Sequence, residues 1–241
     1  MAIEALYLKL LKQAIDRRRA SKPAMSGLLL AYPDMLVTRA VLAEVLGEPL
    51  VATLPARDDA ASIWEYHGLR GVTEPLFDSL AMFRALGVEP TVTDVAKLRG
   101  DERIVDLNHP LPADLVERFD LVVDTGTCEH CFNVAQAFAN ACAALAAGGI
   151  LVHAAPLTRV NHGFWSFNPT IYPDFFEDNG FDLHVLTGVT GDLRQGFRPF
   201  AVDPFNRFEP PPGAALYVVA QRREIRPLKW PVQRKYRSMI P

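Results

Sequence analysis

Acid, imidazole and thiol groups crowd one short stretch, Asp124-Thr125-Gly126-Thr127-Cys128-Glu129-His130-Cys131. An imidazole takes up a proton near neutral pH, so His130 is a candidate general base for a hydroxyl nucleophile, and the other reading is a packed histidine bonded to backbone. Gly126 permits close approach of a ligand to the main chain. Glu129 stands at a helix start, where the macrodipole favours a carboxylate with or without a ligand. Cys128-x-x-Cys131 has the spacing of half a zinc site. One pair without a second is weak evidence for zinc; the run Cys128-Glu129-His130-Cys131 could lend three ligands, but small cysteines packed beside a crevice are the expectation and no metal is expected. Downstream, His153 and His162 flank an apolar run, and His162 is a second candidate base. Trp165 and Phe167 lie in the polar, aromatic loop Asn161–Phe167, which suits either a lid stacking on a substrate ring or an aromatic plug. Upstream, Asp94 and Asp106 each end a β-branched run. Carboxylates there accept hydrogen bonds from ligand hydroxyls or amines, or cap turns.

These groups need elements to hold them. Phe119–Asp124 reads as a buried strand, and beyond the carboxyl ends of such strands is where an open α/β sheet binds ligands. A helix over roughly Phe132–Ala147 follows, broken by Gly148-Gly149, and Ile150–Pro156 returns as a strand. Before them come a helix over 3–20, a strand Gly27–Tyr32, and a helix Met35–Leu46 with Asp34 as N-cap and Gly47 as stop. Residues 48–75 resist assignment. Then follow a helix Pro75–Leu86 closed by Gly87 and short strands at Thr91–Asp94 and Arg103–Asn108. After the aromatic loop come a helix Asp174–Asn179, strands Phe181–Thr187 and Ala214–Arg222, and between those strands a helixless insertion, Gly191–Gly213. Phe197, Phe200, Phe205 and Phe208 in that insertion suit packing or a homo-oligomer contact. The tail 227–241 is expected to be irregular. Alternation of strand and helix predicts one α/β domain over 1–241 with a Rossmann-like, doubly wound, mostly parallel sheet, closed by an antiparallel C-terminal strand pair.

At 241 residues the chain can bury a large core. A formal charge of −3 argues against bulk phosphate neutralisation, so no nucleic-acid partner is expected. Arg17-Arg18-Arg19 and the basic tail read as solvated surface. Three cysteines cannot all pair, which suits a reducing compartment. The first residues carry an early acid and lack a basic leader, and no apolar run approaches about 20 residues. A cytoplasmic protein without a membrane partner is expected.

In order and spacing, these segments resemble the class I S-adenosylmethionine-dependent methyltransferases. Thr91–Asp94 is similar to that fold's second strand, Arg103–Asn108 to its third and Phe119–His130 to its fourth. Leu145-Ala146-Ala147-Gly148-Gly149-Ile150-Leu151 is similar to the entry to its fifth. Asn161–Thr170 with Phe175–Phe181 resembles a segment of bacterial methyltransferase-like proteins associated with glycan or small-molecule biosynthesis. The likeness covers roughly residues 24–222 and implies a seven-stranded sheet with S-adenosylmethionine as cofactor. By this resemblance Asp94 holds the ribose, Asp106 and its neighbour Leu107 meet the adenine, and Asp124, Thr125, Gly126 and Glu129 edge the methyl site. His130 or His162 is then the base, and Trp165 and Phe167 meet a small-molecule or glycan-precursor acceptor. The family's glycine-rich turn after the first strand is missing: the chain reads Leu30-Ala31-Tyr32-Pro33-Asp34, so Tyr32 stands where the cofactor would be cradled. Either the turn is rebuilt or the site has changed ligand, and the same absence counts against NAD. The alternative function is a catalytically inactive binding or assembly subunit, and a third is an enzyme on this fold using another ligand.

Overall fold

The computed structural model describes residues 2–100, 102–194 and 196–239. The chain runs β1 (Ala2–Ile3), α1 (Ala5–Arg19), β2 (Met25–Leu30), β3 (Asp34–Met35), α2 (Arg39–Leu46), α3 (Glu48–Val51), α4 (Ala60–Tyr66) and α5 (Ser79–Ala85). It continues through β4 (Val88–Asp94), β5 (Arg103–Ile104), β6 (Phe119–Asp124), α6 (Val134–Ala143), β7 (Leu145–Pro156) and α7 (Ile171–Asp178). It ends with β8 (Phe181–Asp192), β9 (Gly196–Phe200), β10 (Ala215–Arg222) and α8 (Arg234–Arg237).

Among the described residues, eight strands form the main sheet in the order β5-β4-β2-β6-β7-β10-β8-β9. The first five are parallel; β10 lies antiparallel between β7 and β8, and β9 pairs antiparallel with β8. The chain therefore lays strands to one side of β2 and then to the other, which puts a topological switch point between β2 and β6. Alternate strand residues face opposite layers. Leu29, Val92, Leu121, Val123 and Val152 join Leu8, Leu11 and Phe83 of α1 and α5 in one core. Leu28, Leu30, Val122 and Leu151 join Phe138, Tyr172 and Phe176 of α6 and α7 in the other. Both faces are covered, as a parallel sheet requires.

Several sequence expectations need correction. The sheet has eight strands, because the insertion expected over Gly191–Gly213 adds β9 at the edge. Asp34 caps no helix: it pairs in parallel with Ala2 in a two-stranded ribbon, and Thr38 caps α2 instead. Residues 2–3 belong to that ribbon and not to the first helix, which Glu4 caps through bonds from the Leu6 and Tyr7 amides. β5 stops at Ile104, four residues short of its expected end, and β7 starts at Leu145, ahead of the glycine pair. A helix, α8, interrupts the expected irregular tail, whose residues 240 and 241 lie outside the described residues. Phe119–Asp124 matches its expected bounds, being wholly buried and continuously apolar but for Asp120 and the closing acid. Among the described residues, no helix is long and apolar enough to cross a membrane.

Candidate functional site

Two cavities open at the carboxyl edge of the sheet, one on each side of the switch point. The first, of about 340 Å³, lies beyond β2 and β4 and is lined by Tyr32, Asp34, Tyr66, Asp94 and Arg99 among others. The second, of about 210 Å³, lies beyond β6 and β7, lined by Thr125, Gly126, Glu129, His130, Arg159 and His162 among others.

The first cavity is built around the turn after β2. Ala31 takes φ of +67°, the left-handed conformation a glycine adopts without penalty, and its N–H donates to Thr93 O at 2.7 Å. The turn therefore keeps a glycine-type backbone under an alanine. Tyr32 folds down on it, donating its hydroxyl to Asp78 (2.8 Å) and accepting from Arg57 (2.7 Å). Burial first, then the bond to Asp78, push the phenol up to about 12. Asp34 accepts from Arg99 (3.1 Å to each oxygen) and meets His67 Nε2 at 3.0 Å. Burial alone would raise its pKa, but the His67 bond and the Arg99 charge outweigh that and hold the carboxyl below its usual range. Asp94 is half-buried and accepts one bond, from Ala96 N–H at 3.3 Å.

Asp106 and Leu107 line neither cavity. β5 ends two residues before Asp106, whose carboxylate folds back onto the amide and side chain of Asn108 (2.9 and 2.8 Å), while Leu107 is buried in the core. Asp124 is also withdrawn from the crevice. Its Oδ1 accepts from the amides of Gly126 (3.0 Å) and Thr127 (2.6 Å), and its Oδ2 pairs with His153 Nδ1 at 2.8 Å. His153 Nε2 in turn meets the Tyr172 hydroxyl at 3.0 Å. All three side chains are sealed in the core, so Asp124 braces the loop without facing a ligand. Burial pushes the Cys128 thiol well up and raises Cys131 to about 11, which disfavours thiolate chemistry at either.

Thr125, Gly126 and Glu129 sit in the second cavity instead of the first. A Cβ on Gly126 would come within 2.8 Å of Glu129 Oε1, and one on Gly163 within 2.8 Å of the Glu129 carbonyl and 3.0 Å of its Cγ. The two glycines thus form a slot that grips the Glu129 side chain, which is 1 % exposed. Its carbonyl accepts from the amides of Phe164 (2.9 Å) and Trp165 (3.3 Å), docking the 161–167 loop on the turn after β6. That docking sets His162 Nε2 3.4 Å from Glu129 Oε1 and its ring 5.3 Å from that of His130. The two candidate bases, far apart in sequence, therefore meet.

The aromatic loop divides. Phe167 is in the core against Phe138, His153 and Tyr172, which removes it from substrate contact. Trp165 remains partly exposed with Phe132 and Phe164, its indole N–H donating to Phe132 O at 3.0 Å. Sequence reasoning missed His67, Arg99, Glu4, Arg159 and Tyr217 as cavity walls. None had a motif, and each reaches its place through long-range packing. Among the described residues, three that line these cavities have a buried polar atom without a partner: Arg99 (Nε) in the first, and Thr125 (Oγ1) and Glu129 (Oε2) in the second.

No protein-family model matches the chain, and no curated protein sequence matches it. Among solved structures it is similar to the N-methyltransferase NodS from Bradyrhizobium japonicum WM9, at 14 % identity over 91 % of this chain and 98 % of that one, with a TM-score of 0.45. A structure of NodS with S-adenosyl-L-homocysteine gives the same identity and score over 90 % and 88 %. The 1,6-didemethyltoxoflavin-N1-methyltransferase of Burkholderia thailandensis matches at 13 % identity over 88 % of this chain and 77 % of that one, with a TM-score of 0.44. What places this chain in the Rossmann-like, doubly wound class is its own strand order, with β10 inserted antiparallel between β7 and β8.

Proposed function

We propose that this protein transfers a methyl group from S-adenosylmethionine to an oxygen or nitrogen of a small-molecule or glycan-precursor acceptor in the cytoplasm. The observation that carries this reading is the pair of cavities flanking the switch point, one presenting Asp94 and the other Glu129, His130 and His162. The first cavity fits a nucleoside: the backbone of the turn is left-handed at Ala31, the Asp94 carboxylate has acceptor capacity for ribose hydroxyls, and Arg99 Nε lacks a partner. When bound, the cofactor supplies an electrophilic methyl carbon whose bonding pair leaves with sulfur. The chain's own share is positioning and proton handling. Ala154, Ala155 and Pro156 wall the second cavity with apolar surface and limit water. His162 turns Nε2 to Glu129 and accepts the proton of the acceptor's O–H or N–H at its other ring nitrogen, and Glu129 balances the charge the imidazole gains.

The second reading is a binding or assembly subunit, favoured by Arg99 and His67, which occupy the Asp34 carboxylate at the mouth of the first cavity. Calorimetric titration with S-adenosylmethionine and S-adenosylhomocysteine separates the two. Micromolar binding, weakened at least tenfold in Asp94→Ala, is expected. Absence of heat at millimolar ligand would overturn methyl transfer and leave the subunit reading in front.

A further inference from the structure

We propose that Glu129, His130 and His162 form a binding site for a divalent transition-metal ion of the zinc class, set in the wall of the second cavity. Each residue offers one donor atom, and the three donors lie within 4.8 Å of one another. Two donors bound to a tetrahedral ion at ~2.0–2.1 Å stand roughly 3.3 Å apart. Glu129 Oε1 and His162 Nε2 are already separated by 3.4 Å. Both imidazoles are exposed and can rotate onto an ion, whereas the glycine slot prevents the carboxylate from swinging away.

A second, independent observation is Glu129 Oε2. It belongs to a carboxylate that is 1 % exposed, and it has no hydrogen-bond partner. A buried carboxylate oxygen without a donor is costly, and a cation shared by both oxygens of the carboxylate would satisfy it. Two imidazoles and one carboxylate suit Zn2+ or Co2+ better than Mg2+, which prefers an all-oxygen shell. Three protein ligands leave a coordination position open toward the cavity, so the group taken there would be a small molecule bearing a hydroxyl, carboxylate or amine. With the ion bound His162 is a ligand and not the base, and the ion instead lowers the pKa of a hydroxyl bound to it; that role toward an acceptor rests on the methyl-transfer reading, whereas metal binding itself does not. The other candidate trio, Asp124, Cys128 and His153, is sealed in the core with the Asp124 oxygens and both His153 nitrogens engaged.

The test is calorimetric titration of chelator-treated full-length protein with Zn2+ and with Mg2+, without nucleoside, followed by Co2+ titration read by visible absorption. One equivalent of Zn2+ is expected to bind at micromolar or tighter affinity, with at most millimolar Mg2+ binding. His162→Gln and Glu129→Gln should each weaken Zn2+ at least tenfold, while Cys131→Ser leaves it unchanged. The Co2+ spectrum should lack a thiolate charge-transfer band. His162 is exposed, so its variant reports on binding even if Glu129→Gln fails to fold. Zn2+ binding weaker than millimolar, or binding that survives His162→Gln and is lost in Cys131→Ser, overturns the site. Homocysteine-nucleoside titrations of the same samples judge the methyl-transfer reading separately, since their cavity shares no lining residue with the metal cluster.

Discussion

Asp124 and Glu129 are five positions apart, yet one is sealed in the core and the other lines a cavity. Both Asp124 oxygens hold neighbouring groups, and removing its carboxylate strands His153 and two amides inside the protein. Breaking a buried pair of this kind costs about 3–5 kcal/mol, so Asp124→Ala should lose that much stability in urea unfolding. A loss below 1 kcal/mol would disprove its role as a brace. Asp94→Ala, which gives up one long bond, should unfold with the wild type. The sequence marked the Asp124–His130 stretch as chemical but could not say which carboxylate lined a cavity, because the sealing of Asp124 is decided by His153 and Tyr172 arriving from β7 and α7. It named His130 and His162 as candidate bases, and their meeting depends on Gly163 docking the loop. It weighed metal binding within the run Cys128–Cys131 and left out His162, since a ligand 32 positions beyond His130 leaves no local spacing to recognise.

Strand β6 was legible to the residue because a run buried on both sides is written as continuous apolar sequence. Strand β5, which precedes it in the chain, was not, since it pairs for only two residues at an edge. The turn after β2 shows what composition hides. A missing glycine did not abolish the left-handed backbone; the structure imposes it on Ala31, which carries the strain. Ala31→Gly should therefore stabilise the protein by roughly 0.5–1 kcal/mol, the left-handed penalty less the extra freedom of an unfolded glycine. Thermal unfolding measures this directly, and a lowered midpoint would mean the alanine methyl packs better than its backbone suffers.

Over the whole molecule, buried carboxylates tie distant segments together. Asp120 at the start of β6 accepts from Arg18 (2.7 Å) and from Ser26 N–H (3.0 Å) and pairs with Lys22 (2.9 Å), joining α1 to the sheet. Burial alone would raise the pKa values of Asp34, Asp120 and Asp124, but their partners hold all three below the usual range. Their stabilisation is thus present above an unfolded-state value near ~3.9 and lost as pH falls through the folded values. Glu4 runs the other way, since burial raises it and favours its protonated form in the folded state. With Glu102, which backbone amides also hold below its usual range, four groups against one predict a urea midpoint that holds from neutral pH to about 5 and drops below about 4. A midpoint that climbs as pH falls toward 3 would contradict this balance.

The two-residue ribbon has a consequence for handling the protein. Ala2 lines the second cavity, and its pairing partner Asp34 lines the first. A purification peptide fused ahead of residue 2 would therefore emerge beside the mouths of both. A histidine tag there would set six extra imidazoles next to a cluster whose affinity for zinc is in question. Titrations belong on protein from which any such fusion has been cleaved.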